Sequence, residues 1–162
     1  MLTSLSPRNA ALLIFAGALV TIVGAWIFEY CGYLPCELCL MQRWAYYAAI
    51  PLAGLIAFLP EKGFAMRAGL VVLALIWLSS GIFGVYHSGV EWDWWQGPTA
   101  CTGDGGLSDG VPDLAKPVVM CDEPAIRIFG LSLAGWNAVI SAVLAILAVA
   151  GARHQGSSSV SQ

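Results

Sequence analysis

Two cysteines three positions apart, Cys36 and Cys39 in "LPCELCLMQR", are followed by Arg43 and then by a long apolar run. A two-residue gap closes too small a ring to constrain much unfolded chain, so the pair offers little as a structural brace. One thiol of lowered pKa in a C-x-x-C pair instead carries out redox exchange. Pro35 precedes the pair, and a helix is expected to begin at about Cys39 or Leu40. A thiolate there would be stabilised by unpaired amides and the positive end of the helix dipole. Arg43 falls one turn after Cys39, on the same helical face. An arginine just inside a bilayer is costly and points to function, the plain alternative being a side chain that snorkels to the headgroups. A cation, a reactive thiol and a lipid-facing position together suggest an electron acceptor dissolved in the membrane. A quinone suits, because a guanidinium can bond its oxygen and stabilise the charge that develops there.

Three further cysteines complete the set. Cys101 and Cys121 bracket a Gly- and Asp-rich stretch, and Cys31 stands five residues before the pair. Cys36 with Cys39 and Cys101 with Cys121 are the natural pairings, although four cysteines allow three connectivities. A Cys101–Cys121 bridge could simply staple a loop, worth roughly 3 kcal/mol on chain-entropy grounds. Four-cysteine zinc binding fits poorly, because the gap between Cys101 and Cys121 is too long for a second knuckle. No metal is expected.

The elements that must position these residues are membrane helices. The chain is 59% hydrophobic and 10% charged, with a mean hydropathy of +0.77. Soluble domains carry about 25% charged residues, so this chain lacks polar surface to cover itself in water. Four apolar blocks of bilayer length lie at 10–30, 41–60, 67–87 and 131–152. The first is longer than a signal h-region and lacks a clear cleavage site. The predicted fold class is therefore all-α, an integral membrane four-helix bundle in one domain over 1–152. Cysteine-bearing loops span 31–40 and 88–130, and the tail 153–162 is expected to be disordered. Trp92, Trp94 and Trp95 read as an aromatic belt that could also shape an apolar cleft.

Four spans put both termini on one side. Arg8, Lys62, Arg67 and Arg153 lie there against Glu61 alone, while the other side holds Arg43, Lys116, Arg127 and all the remaining acids. Basic residues favour the cytoplasmic face, though by a thin majority here. All five cysteines fall on the opposite face, as an oxidising compartment such as the bacterial periplasm would require. Cytoplasmic termini and periplasmic cysteine loops follow.

"PCELC" with Arg43 behind it, four spans, an outer loop with two spaced cysteines, and "CDEPAIRIFGLSLAGWN" leading into the last helix resemble the DsbB family. That family comprises bacterial inner-membrane quinone oxidoreductases that reoxidise the thiol oxidase DsbA, and the resemblance covers nearly the whole chain. It implies disulfides Cys36–Cys39 and Cys101–Cys121, and an order of events. Reduced DsbA attacks Cys101; the freed Cys121 attacks Cys36; Cys39 is released as a thiolate toward the quinone, with Arg43 as its electrostatic partner. It also implies a quinone-side place for His87, whose plain reading is an interfacial residue ending the third span. The quinone is ubiquinone or menaquinone, and the chain is expected to be a monomer. Two departures stand out. Gln42 occupies a position where some relatives carry an acid, and Cys31 has no counterpart. Rival readings are a vitamin K epoxide reductase-like enzyme, whose C-x-x-C comes late in the chain, and a non-enzymatic membrane subunit with structural disulfides. A carrier of electrons inward would need cysteines within the spans, which contain none.

Overall fold

A computed structural model of the protein describes residues 5–98 and 119–157. Four helices account for most of them: α1 (Pro7–Tyr30), α2 (Glu37–Ala57), α3 (Phe64–Glu91) and α4 (Leu133–Ser157). Between α3 and α4 lie two short strands, β1 (Arg127–Ile128) and β2 (Leu131–Ser132), paired antiparallel through Arg127–Ser132 and Ile128–Leu131. Phe129 and Gly130 make their turn with both φ angles positive, the form that matches strand twist in a two-residue hairpin. This hairpin is an addition to the all-helical expectation. Cys101, Lys116 and the middle of the long loop fall outside the described residues.

Among the described residues, three helices are long and apolar enough to cross a membrane: α1, α3, and α4 as far as His154. The 21-residue α2 has the length, but Gln42, Arg43 and the tyrosines that follow dilute its apolar character. The helices start and stop elsewhere than the apolar blocks suggest. Ser6 caps α1, its hydroxyl accepting from the Asn9 amide, with Pro7 in the first turn, where no backbone donor is needed. At its other end α3 runs four residues past the expected boundary, to Glu91. Residues 153–157, expected as irregular tail, continue α4. Hydropathy marks where lipid ends, not where helical hydrogen bonding ends.

Ile14, Ile56, Met66, Leu70, Leu73 and Trp77 fill the centre of the bundle. Large apolar side chains such as Val20, Leu55, Leu75 and Ile82 point outward, the arrangement expected when hydrocarbon surrounds the helices. Polar side chains link helices inside. Tyr46 on α2 donates to Asn137 on α4 at 2.7 Å, and Ser141 donates to Ser80 on α3 at 3.0 Å. Such interhelical bonds, with small residues at crossings, substitute for the hydrophobic force that lipid cannot supply.

Gly84 permits one such crossing, that of α3 with the backbone of α4. A Cβ there would lie 2.9 Å from the backbone nitrogen of Ala138. Near the end of α3, Gly89 receives the Trp95 indole, whose Nε1 donates to the Tyr86 carbonyl at 2.8 Å. Trp92, Trp94 and Trp95 thus pack edge-to-face on one another and back onto α3.

Gly84→Ala should therefore cost about 1–3 kcal/mol through overpacking. Gly24→Ala, at a position with no atom within 4 Å, should be neutral or mildly stabilising. Thermal unfolding of the two variants in detergent compares them directly.

Candidate active site

The site begins with the way α1 stops. Gly32 adopts φ 98°, a left-handed conformation that favours glycine. The Tyr33 amide then bonds the Phe28 carbonyl at 3.1 Å and the Gly32 amide bonds that of Glu29 at 3.0 Å. This pair of bonds is a Schellman stop, and the Phe28 and Tyr33 rings supply its usual apolar contact, 5.9 Å apart. The chain turns back sharply, so that Leu34 and Pro35 deliver Cys36 to the start of α2.

Cys36 is the N-cap of α2, and its sulfur accepts from the Cys39 amide at 3.2 Å. The helix begins at Glu37, two to three residues before the expected start. The capped sulfur is consequently that of Cys36, not Cys39. The two sulfurs lie 2.7 Å apart as free thiols. The Cys36 thiol is lowered from 9.0 to about 5, mainly by the Cys39 thiol donating to it, then by His87, against an opposing effect of burial. Cys39 is pushed up, because a proton on its sulfur bonds the Cys36 thiolate and because it is buried. In the reduced pair the negative charge rests on Cys36 and the remaining proton on Cys39.

The extended end of α3 supplies the surroundings. His87, 1% exposed, places Nε2 3.6 Å from the Cys36 sulfur, and its Nδ1 lies 2.9 Å from Gln42 Nε2. One turn later Glu91 Oε1 lies 3.9 Å from His87 Nε2, while its buried Oε2 has no partner among the described residues. Cys36, Cys39, His87 and Glu91 line one small cavity of about 30 Å³. Cys121 is disulfide-bonded, 1% exposed, and packs in one cluster with Cys36, Leu38 and Val90.

Cys39 also borders a second and much larger cavity. This one, of about 430 Å³, lies between α1, α2 and α4 and is lined by apolar side chains together with Gln42, Arg43 and Asn137. Arg43 Nη1 donates to Glu29 Oε2 at 2.6 Å, tying the base of the α1–α2 loop.

Of the residues singled out in the sequence, Cys36, Cys39, Arg43 and His87 converge here, and Cys121 packs beside them. Cys101 lies outside the described residues. His87 does not line the larger cavity; it sits across α2 against Cys36. Cys31 is exposed and free at the C-cap of α1. Glu29 and Glu91 escaped the sequence reading. Glu91 had a signal in its i,i+4 spacing from His87, hidden because α3 was expected to end at His87. Glu29 had none, since its pairing with Arg43 depends on the turn at Gly32.

In the reduced protein, alkylation of Cys36 should follow a single ionisation with a midpoint near pH 5. His87→Ala should move that midpoint up by about one unit, as loss of a nearby favourable partner does. A thiol lowered in this way favours the dithiol over the disulfide progressively as pH rises above 5, and that advantage disappears below it. A pH series of alkylation rates, read by mass spectrometry on Cys36, checks both.

The family model for "Disulfide bond formation protein DsbB" matches residues 7–151. An uncharacterised protein of Rickettsia prowazekii, RP370, is 26% identical over 137 residues, covering 80% of this chain and 78% of the relative. The protein named disulfide bond formation protein B in Aromatoleum aromaticum is 30% identical over 138 residues, covering 78% of this chain and 80% of the relative. No solved structure matches. The capped dithiol at the head of α2, in a bundle with apolar helices of membrane length, therefore sits in a chain that belongs to the DsbB family of disulfide bond formation proteins.

Proposed function

We propose that this protein is a membrane thiol oxidoreductase that oxidises a periplasmic DsbA-like dithiol protein. Electrons pass through Cys101–Cys121 and then Cys36–Cys39 to a membrane quinone. In this reading α2 is a fourth span, the bundle lies in the bacterial inner membrane as a monomer, and both termini are cytoplasmic. One observation carries the reading. Cys39 lines both cavities, so a single sulfur faces the thiol chemistry on one side and an apolar chamber with Arg43 on the other.

The larger cavity suits the cofactor. Its volume lies within the range of small-molecule sites, and its mix of many apolar and few polar groups is typical of them. Cys39 and Arg43 would flank a quinone there, with Tyr46 and Asn137 as further polar lining. Bound quinone supplies an acceptor for two electrons and two protons. Everything else is chemistry of the chain. A thiolate of the reduced partner attacks Cys101, forming a mixed disulfide and releasing Cys121 as a thiolate. Cys121 attacks the neighbouring Cys36; a Cys36–Cys121 bond forms, the Cys36–Cys39 bond breaks, and Cys39 leaves carrying the electron pair. That thiolate emerges at the wall of the larger cavity. Arg43 keeps positive charge at this wall, and Glu29 fixes its position. The cap and His87 stabilise the reduced pair through Cys36, which makes the pair a stronger oxidant, since stabilising the dithiol raises its potential.

Quinone absorbance in detergent, followed after addition of a reduced DsbA-like partner, tests the reading. Oxidised quinone should be lost with the wild-type chain and persist with Cys39→Ser; persistence with both, for ubiquinone and menaquinone alike, refutes it. Arg43→His should raise the apparent KM for quinone about tenfold or more, the effect of losing a charge-assisted bond. Cys101→Ala should abolish the mixed disulfide with the partner yet leave quinone affinity intact.

A further inference from the structure

Beyond electron transfer, the small cavity has the make-up of a metal site. We propose that the reduced protein captures a thiophilic divalent cation such as Zn²⁺ through Cys36, Cys39 and His87, with Glu91 as fourth ligand. Capture withholds both sulfurs from disulfide formation, so the cation holds the pair in its reduced form.

The donor atoms of Cys36, Cys39 and His87 all lie within 4.8 Å of one another. A tetrahedral centre with metal–sulfur bonds of about 2.3 Å and metal–nitrogen bonds of about 2.0 Å sets sulfur and nitrogen about 3.5 Å apart. The Cys36 sulfur and His87 Nε2 are 3.6 Å apart. The same geometry needs the two sulfurs about 3.8 Å apart, so the pair must open by about 1 Å from 2.7 Å. Cys36 precedes the first helical residue and Cys39 lies in the first turn, so side-chain rotation supplies this opening. Two cysteines at this spacing are also a common half of structural zinc sites.

The surroundings fit as well. Glu91 is 9% exposed, lines the same cavity and has its Oε2 unpartnered among the described residues. His87 Nδ1 faces the Gln42 amide at 2.9 Å. An imidazole that ligates through Nε2 carries its proton on Nδ1, and the Gln42 amide, turned about its last torsion, accepts that proton in a hydrogen bond. Metal-binding histidines usually have such an outer partner. Binding exchanges the remaining thiol proton for the metal: two S–metal bonds form, the Cys39 proton leaves to solvent, and no electron moves. Re-forming the Cys36–Cys39 bond requires loss of the metal and of two electrons. Only the consequence for turnover rests on the function proposed above; capture requires the dithiol alone.

Co²⁺ is the probe, added to full-length protein in detergent, reduced and then freed of reductant, with Cys31→Ser removing the exposed thiol. One equivalent should give thiolate-to-cobalt charge-transfer absorption and the intense visible bands of four-coordinate Co²⁺, both displaced by Zn²⁺. Oxidising the protein should weaken binding at least 100-fold, and Cys36→Ser or His87→Ala at least tenfold. Glu91→Gln should retain the charge-transfer bands with about tenfold weaker binding. Equal binding by oxidised protein, a comparison that needs no ligand substitution, overturns the proposal, as does unchanged binding by Cys36→Ser. Unchanged affinity in Glu91→Gln overturns the assignment of the fourth ligand. None of these readings involves turnover, so they are independent of whether quinone is reduced.

Discussion

One hydrogen bond organises this site: the Cys39 amide donating to the Cys36 sulfur at the start of α2. A helix N-terminus leaves its first amides without partners, and side-chain acceptors are selected to meet them. Here the acceptor is a sulfur of the C-x-x-C pair itself. The cap fixes where α2 begins, which in turn sets the rotation of everything after it. Cys39 is carried to the wall of the larger cavity, Arg43 one turn further along, and Gln42 to a place between that cavity and His87. Moving the helix start by one residue would rotate these side chains by about 100° and separate the groups now assembled around the two sulfurs.

That bond depends on two neighbours. The stop at Gly32 folds the chain back tightly enough for Glu29 and Arg43 to meet, closing the loop that presents Cys36. The last turns of α3 bring His87 under the sulfur and Glu91 behind it. Buried Ser80, Asn137 and Ser141, with Tyr46, hold α2, α3 and α4 in register farther down the bundle. The site is therefore local in sequence at α2 and non-local everywhere else.

This division explains what could be read from the chain alone. The apolar blocks reveal helices because lipid imposes their length. The C-x-x-C spacing and the arginine one turn later reveal that Cys39 and Arg43 share a face because both are properties of a single helix. The exact start of α2 could not be read, because apolar content does not report a cap made by sulfur. Nor could the pairing of Glu29 with Arg43, the position of His87 against Cys36, or the polar links through Asn137. Each depends on packing between segments far apart in sequence. The family resemblance implies a quinone-side place for His87; its position beside the capped sulfur, away from the lining of the larger chamber, could be read only from the packing of α3 on α2.

The glycine contact at Gly84 has a broader consequence. It lets α3 meet the backbone of α4 without an intervening side chain, one turn before His87, which supports the sulfur. The larger chamber is bounded chiefly by α1, α2 and α4, and its walls are mostly replaceable apolar side chains. Substitutions in those walls can reshape the chamber without displacing the groups that set the charge on Cys36. Chamber shape and the charge on Cys36 are thus housed in separable parts of the molecule, and descendants of this chain are free to change one while inheriting the other.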